Sequence, residues 1–160
     1  MSSLNTEPVH KAVMKHSLPD VIEAIALGGS VDELDREGRT PLFYAARDGD
    51  SSIVAELIRL GANVNARDKN LETALHFAAR AYQPELIRLL LSKGANVNAQ
   101  DAFGNTALSR AVFDSKGRGE VIKALLLLGA KKDLQNKNGI SPEHIAKSIG
   151  NYDVEKFFAD

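Results

Sequence analysis

Thr40-Pro41-Leu42-Phe43-Tyr44-Ala45-Ala46 is answered 33 residues later by Thr73-Ala74-Leu75-His76-Phe77-Ala78-Ala79, and 33 after that by Thr106-Ala107-Leu108-Ser109-Arg110-Ala111-Val112. A degenerate copy, Ser141-Pro142-Glu143-His144-Ile145-Ala146, follows at a step of 35. Gly28, Gly61 and Gly94 keep the step of 33, and Gly129 comes 35 later. Two extra residues therefore lie between Thr106 and Gly129, within Ser115 to Gly119. A turn signal keeps time with both landmarks: Asp35 with Gly38, Asp68 with Leu71, Asp101 with Gly104, Asn136 with Gly139. A fixed period of this length marks a stacked repeat.

The spelling of one copy has physical reasons. Thr40 suits an N-cap, where its hydroxyl can accept from an orphan helix N–H. Pro41 fits the first helical position, where a missing N–H costs nothing. Leu42, Ala45 and Ala46 give a short helix with a small-residue face. Gly49-Asp50 breaks it. A second helix, about Ser51 to Leu60, carries Ile53, Val54, Leu57 and Ile58 at helical spacing. Gly61 ends it with a left-handed cap. No such pair can bury its apolar face alone, so neighbours must stack and the end copies must differ from the middle ones. They do: Lys11, His16 and Asp20 interrupt the first copy, and Asp153, Glu155 and Lys156 surround Val154, Phe157 and Phe158 in a helix expected for the last.

The period, the threonine-proline-leucine opening and the ending Gly61-Ala62-Asn63-Val64-Asn65, repeated at Gly94 to Asn98, resemble ankyrin repeats. The resemblance runs from about Glu7 to Phe158. It implies an all-α solenoid of stacked helix-turn-helix units with projecting turns or hairpin loops. The expected copies are an N-terminal cap at 7–38, repeats at 39–71, 72–104 and 105–139 (the last with the two-residue insertion), and a C-terminal cap at 140–160. The resemblance also implies that the asparagines Asn65 and Asn98 steady the turns. It implies that the histidines His10, His76 and His144, which share one repeat position, bond the backbone of the next loop. His16 stands where the family prefers glycine and is read as an exposed turn residue.

Composition narrows the function. The chain has 160 residues, 44% hydrophobic and 26% charged, with 20 basic and 21 acidic side chains for a formal net charge of -1. That is ordinary for a globular protein, and it lacks the basic excess of nucleic-acid binders. There is no cysteine, so disulfides, thiolate metal sites and thiol nucleophiles are excluded. The longest apolar run, Ala124 to Leu128, is far short of the ~20 residues of a membrane span. Met1 to Glu7 is polar and carries no signal-peptide core. The expected protein is cytoplasmic and, with polar caps, a monomer when free. Copies about 10 Å apart keep the three aligned histidines from sharing a metal. No nucleophile has partners, and Gly117-Arg118-Gly119 is too short for a phosphate loop. No catalytic residue, metal or cofactor is expected.

What remains is binding of another protein. The family resemblance places the variable surface on the concave side, at the turn tips and the outer side of each first helix. Carried over copy by copy, these positions are Arg36, Glu37, Arg39, Arg47 and Asp48, then Lys69, Asn70, Glu72, Arg80 and Tyr82. Ala102, Phe103, Asn105, Phe113 and Asp114 follow, and Lys137 and Asn138 in the cap. Hot spots favour aromatic and arginine side chains, which selects Tyr82, Phe103 and Phe113 as the energetic centre, flanked by Arg36, Arg47 and Arg80. The alternative for Phe113 is a place beneath the inserted loop. Leu71 replaces a turn glycine, which argues against a left-handed backbone there. Arg110 replaces an apolar residue and needs a partner, for which Asp114 one turn on is the candidate. The ending, Gly139 through Val154, looks like small stand-alone bacterial ankyrin proteins. Some of those are immunity proteins that neutralise a toxin, which makes a toxin the alternative partner.

Overall fold

In the computed structural model, which describes residues 8–150 and 152–159, the chain forms five successive units. Met1 to Glu7, Asn151 and Asp160 lie outside the described residues. Among the described residues the α-helices are α1 (Val9–Met14), α2 (Leu18–Ala26), α3 (Pro41–Asp48), α4 (Ser51–Arg59), α5 (Ala74–Arg80), α6 (Pro84–Ser92), α7 (Ala107–Phe113), α8 (Glu120–Leu127) and α9 (Pro142–Ser148). A 3-10 helix, Glu155–Phe158, takes the place of the full second helix in the last unit. Its Val154 and Phe158 are buried and close the end of the core.

The helices stack in two layers. The first helices touch in the order α1, α3, α5, α7, α9, and the second helices in the order α2, α4, α6, α8. Ala45, Ala78, Ala111 and Ala146 are all buried at the same repeat position. Their small side chains let successive first helices approach closely. Leu42, Leu57, Leu75, Leu90, Leu108 and Leu125 fill the space between layers as one continuous core.

Side chains lock the register between copies. The Asn65 amide donates to the Gly94 carbonyl (3.0 Å) and its oxygen accepts from Asn96 N–H (2.8 Å). Asn98 repeats this with Gly129 (3.3 Å) and Lys131 (2.9 Å). His10 and His76 each meet a carbonyl of the following hairpin, Arg39 and Asn105, at 3.1 Å. His144, expected to bond a following loop, makes no such bond among the described residues; its ring accepts from Ser141 N–H within its own unit.

Capping follows the residue three positions on. Thr106 with Ser109, and Ser141 with His144, form reciprocal capping boxes. Thr40 holds the N-cap position of α3 without a side-chain cap bond, contrary to the sequence expectation. The Phe43 N–H is already taken by the Thr40 carbonyl (3.1 Å), and the Phe43 ring offers nothing in return.

Each hairpin tip is built on one side chain. An oxygen of Asp35, Asp68, Asp101 and Asn136 accepts the backbone N–H groups two and four residues on, at 2.7 to 3.0 Å. The turn this closes requires positive φ at its fourth residue. Gly38, Gly104 and Gly139 supply it at 74°, 82° and 72°. Leu71 does so too, at 57°, which corrects the sequence expectation. The two N–H bonds to Asp68 and the link from Ala102 N–H to the Asn70 carbonyl (2.8 Å) hold the tip in the family's geometry whatever the residue.

Leu71→Gly should therefore raise stability by about 0.5–1 kcal/mol, since a leucine in the left-handed region is strained and this one is half exposed. Gly104→Ala should lower it by more than about 2 kcal/mol, because a Cβ there would stand 2.9 Å from the Asn136 and Lys137 backbone. Urea unfolding of both variants checks the pair; equal midpoints would refute the strain argument.

Candidate protein-binding face

The tips and the open side of the first helices make one continuous face. Adjacent tips are joined by single backbone bonds: Lys69 N–H to Glu37 (3.0 Å), Ala102 N–H to Asn70 (2.8 Å) and Lys137 N–H to Phe103 (3.0 Å). These bonds hold Arg36, Glu37, Lys69, Asn70, Phe103, Lys137 and Asn138 in a row, all exposed.

Behind the tips lies a charged centre laid on aromatic rings. Phe77 of α5 is buried under two guanidiniums, with Arg39 at 5.4 Å and Arg80 at 5.3 Å from its centroid. Phe43 supports the ring edge-on at 5.4 Å. One copy earlier, Arg47 lies 5.1 Å over Tyr44 and holds Asp48 through two bonds of 2.7 and 2.9 Å. The Tyr44 hydroxyl donates to Asp35 at 2.5 Å.

Three carboxylates anchor the cations from below. Glu72 accepts from Arg80 and stands 3.7 Å from Arg110. Asp101 accepts from Arg110 at 2.7 Å. Asp68 lies 3.5 Å from Arg39. Burial alone would raise the Asp101 pKa. The N–H groups of Asn105 and Phe103, with the Arg110 guanidinium, outweigh it and hold the carboxyl below its ordinary value.

Several sequence expectations change here. Arg110 pairs with Asp101 and Glu72, not Asp114, because its side chain turns back toward the base of its own hairpin and across to the preceding copy. Glu72 is buried as an anchor rather than displayed as a contact residue. Asn105 serves the framework: its carbonyl faces His76, and its side chain accepts from Asn136 (2.8 Å).

Tyr82 is only 9% exposed and belongs to the core. Its backbone is left-handed (φ 57°) where the preceding copy has Gly49. This turns the ring into the inserted loop, where the hydroxyl donates to the Arg118 carbonyl and the Arg118 guanidinium sits 3.9 Å from the ring centroid. Ser115 is buried, and Gly119 packs so closely on the Phe157 ring that a Cβ would come within 2.4 Å of it. The loop thus fills the gap between Tyr82 and the C-terminal segment. Phe113 does not pack beneath it; Phe113 is 72% exposed and Phe103 63%. The two flank α7, one at the preceding tip and one at its last residue.

The sequence reading assigned no role to Phe77 and Tyr44. Their signal was an arginine three residues on, at Arg80 and Arg47, which places it over the ring on a helix.

The model for ankyrin repeats, in three copies, matches residues 9–101 and 48–136. The chain belongs to the ankyrin-repeat family. No curated protein matches it. Ankyrin repeats mediate protein–protein interaction. Among the described residues no helix is long and apolar enough to cross a membrane, and no group of three or more His, Asp or Glu side chains is placed to hold a metal ion.

Two predictions follow from the buried charges. Arg110→Ala should cost about 2 kcal/mol, since it strands Asp101 and weakens the hold on Glu72 in a partly buried setting. Asp114→Ala should change stability by less than about 0.5 kcal/mol; denaturant titration of the two separates the pairings. His76 is kept neutral chiefly by burial, which lowers its pKa from 6.5 against the opposing pull of the Asn105 carbonyl, Asp101 and Glu72. Its contribution to stability is complete above pH 6.5 and is lost as pH falls from there toward the lowered folded value. His76→Phe, which copies Phe43, removes that titration. The stability of wild type relative to this variant should fall between about pH 7.5 and about pH 5; a pH-independent difference would contradict the buried-neutral assignment.

Proposed function

We propose that this ankyrin array binds a partner protein through the face made of its hairpin tips and first helices, the concave side of the stack, and carries out no reaction of its own. The observation that supports this most is the pair Phe103 and Phe113. Both are large, apolar and more than half exposed, at the two sides of α7, beside an ordered centre of guanidiniums on aromatic rings. Exposed aromatics beside arginine are the usual composition of an interface centre. Five units, two of them end caps, offer room for a standard interface of ~1,600 Å².

An immunity protein is one form of this reading: the concave face would cover the active site of a cognate toxin. Its support is the likeness of the stretch from Gly139 to Val154 to small stand-alone bacterial ankyrin proteins.

Phe103→Asp combined with Phe113→Asp tests the face. The purified chain and the folded double variant, checked by circular dichroism, serve as baits in lysate of the native cell. A specific partner should be captured by wild type and lose at least about 100-fold in affinity with the variant. A toxin as that partner would select the immunity form. Equal capture by both baits would place the interface elsewhere.

A further inference from the structure

We infer that the partner presents carboxylates to this face, with an Asp or Glu side chain seated among Arg39, Arg80 and Arg110 around Phe77, and an apolar side chain placed beside Phe103 or Phe113. The inference rests on the concave-face reading and specifies the chemistry that face accepts.

The charges are sorted by depth. The side chains of Asp68, Glu72 and Asp101 are 0%, 8% and 1% exposed, whereas those of Arg39, Arg80 and Arg110 are 28%, 42% and 28% exposed. An approaching surface meets guanidinium N–H groups and not carboxylate oxygens, although the cluster as a whole is near neutral.

Donors also exceed acceptors. A guanidinium carries five N–H donors. Arg80 donates to Glu72 and Arg110 to Asp101, while Arg39 lies 3.5 Å from Asp68, too loose for a hydrogen bond, against the Phe77 ring and beside the Tyr44 hydroxyl. The buried Nε atoms of Arg39 and Arg110 have no hydrogen-bond partner. One oxygen of both Asp68 and Asp101 is committed to two backbone N–H groups of its hairpin, and the second Asp68 oxygen is buried without a hydrogen-bond partner, so the N–H groups left for an incoming carboxylate are the terminal ones of the part-exposed guanidiniums.

The cations are ordered before anything binds. The Phe77 ring holds Arg39 and Arg80 at 5.4 and 5.3 Å from its centroid, within cation–π reach. A planar fork held in place loses little freedom when it grips a carboxylate bidentately. Asp48 is held by Arg47 and Glu72 lies beneath the cations, while Glu37 is the one exposed acid among the tip residues named above. Arg36, Lys69 and Lys137 extend the same sign along the tips.

The test is an NMR titration of the full chain, following arginine Nε–H and backbone amide signals at about 0.15 M salt. The probes are two capped pentapeptides, Glu-Asp-Phe-Asp-Glu and Lys-Lys-Phe-Lys-Lys, and a short DNA duplex. The acidic peptide should move the Nε–H signals of Arg39, Arg80 and Arg110. Arg80→Gln, with amide dispersion retained, should weaken it about fivefold, and Lys69→Gln should weaken it less. No movement, equal movement with the lysine peptide, or saturable movement with the duplex would each overturn the inference. If the lysine peptide alone perturbs Phe103 and Phe113, the acidic partner is wrong and the concave face stands. If all shifts fall on the outer sides of α6 and α8, both fail.

Discussion

Every unit of this chain carries an apolar face that only the next unit can cover. From that constraint come the alanines at one repeated position, the single continuous core and the need for different ends. It also explains why so many polar side chains bond forward by about one repeat. Once a core is shared between copies, their register must be fixed, and apolar contact alone does not fix it. Asn65, Asn98, His10 and His76 provide directional bonds at the copy boundaries. Where Phe43 replaces the histidine, an edge-on contact with Phe77 takes over the role.

The same aspartates that close the hairpins set the electrostatics of the face. Asp35, Asp68 and Asp101 each spend one oxygen on backbone N–H groups and turn the other toward a side chain: the Tyr44 hydroxyl, Arg39 and Arg110. Folding and surface chemistry are thereby coupled. Asp68 and Asp101 are buried in building the turns, so Arg39 and Arg110 are left nearer the surface, Arg39 against the Phe77 ring.

The fourth copy shows how much a stacked framework tolerates. Its loop is two residues longer, its first helix carries Arg110 where the neighbours have an aromatic ring, and Phe113 stands out from it beside Phe103 of the preceding tip. None of this disturbs the core, because each change lies at a tip, in a loop or on the part-exposed side of α7. Tyr82 and Phe157 close around the longer loop and make it part of the packed structure.

The sequence by itself determined the period, the helix pairs and the hairpin positions. All of these are set by spacing within one copy, where each residue's neighbours are a few positions away. The tertiary structure decided the rest. Arg110 reaches Asp101 and Glu72 because the hairpin base and the adjacent copy lie closer to its guanidinium than Asp114 does. Glu72 sinks and Tyr82 turns inward because residues 36 to 38 positions away surround them, and no local spacing encodes that. Leu71 adopts a left-handed backbone because bonds to Asp68 and the next tip outweigh the preference of its own side chain. Residue type and spacing fixed what each copy is; contacts between copies fixed where its charges point.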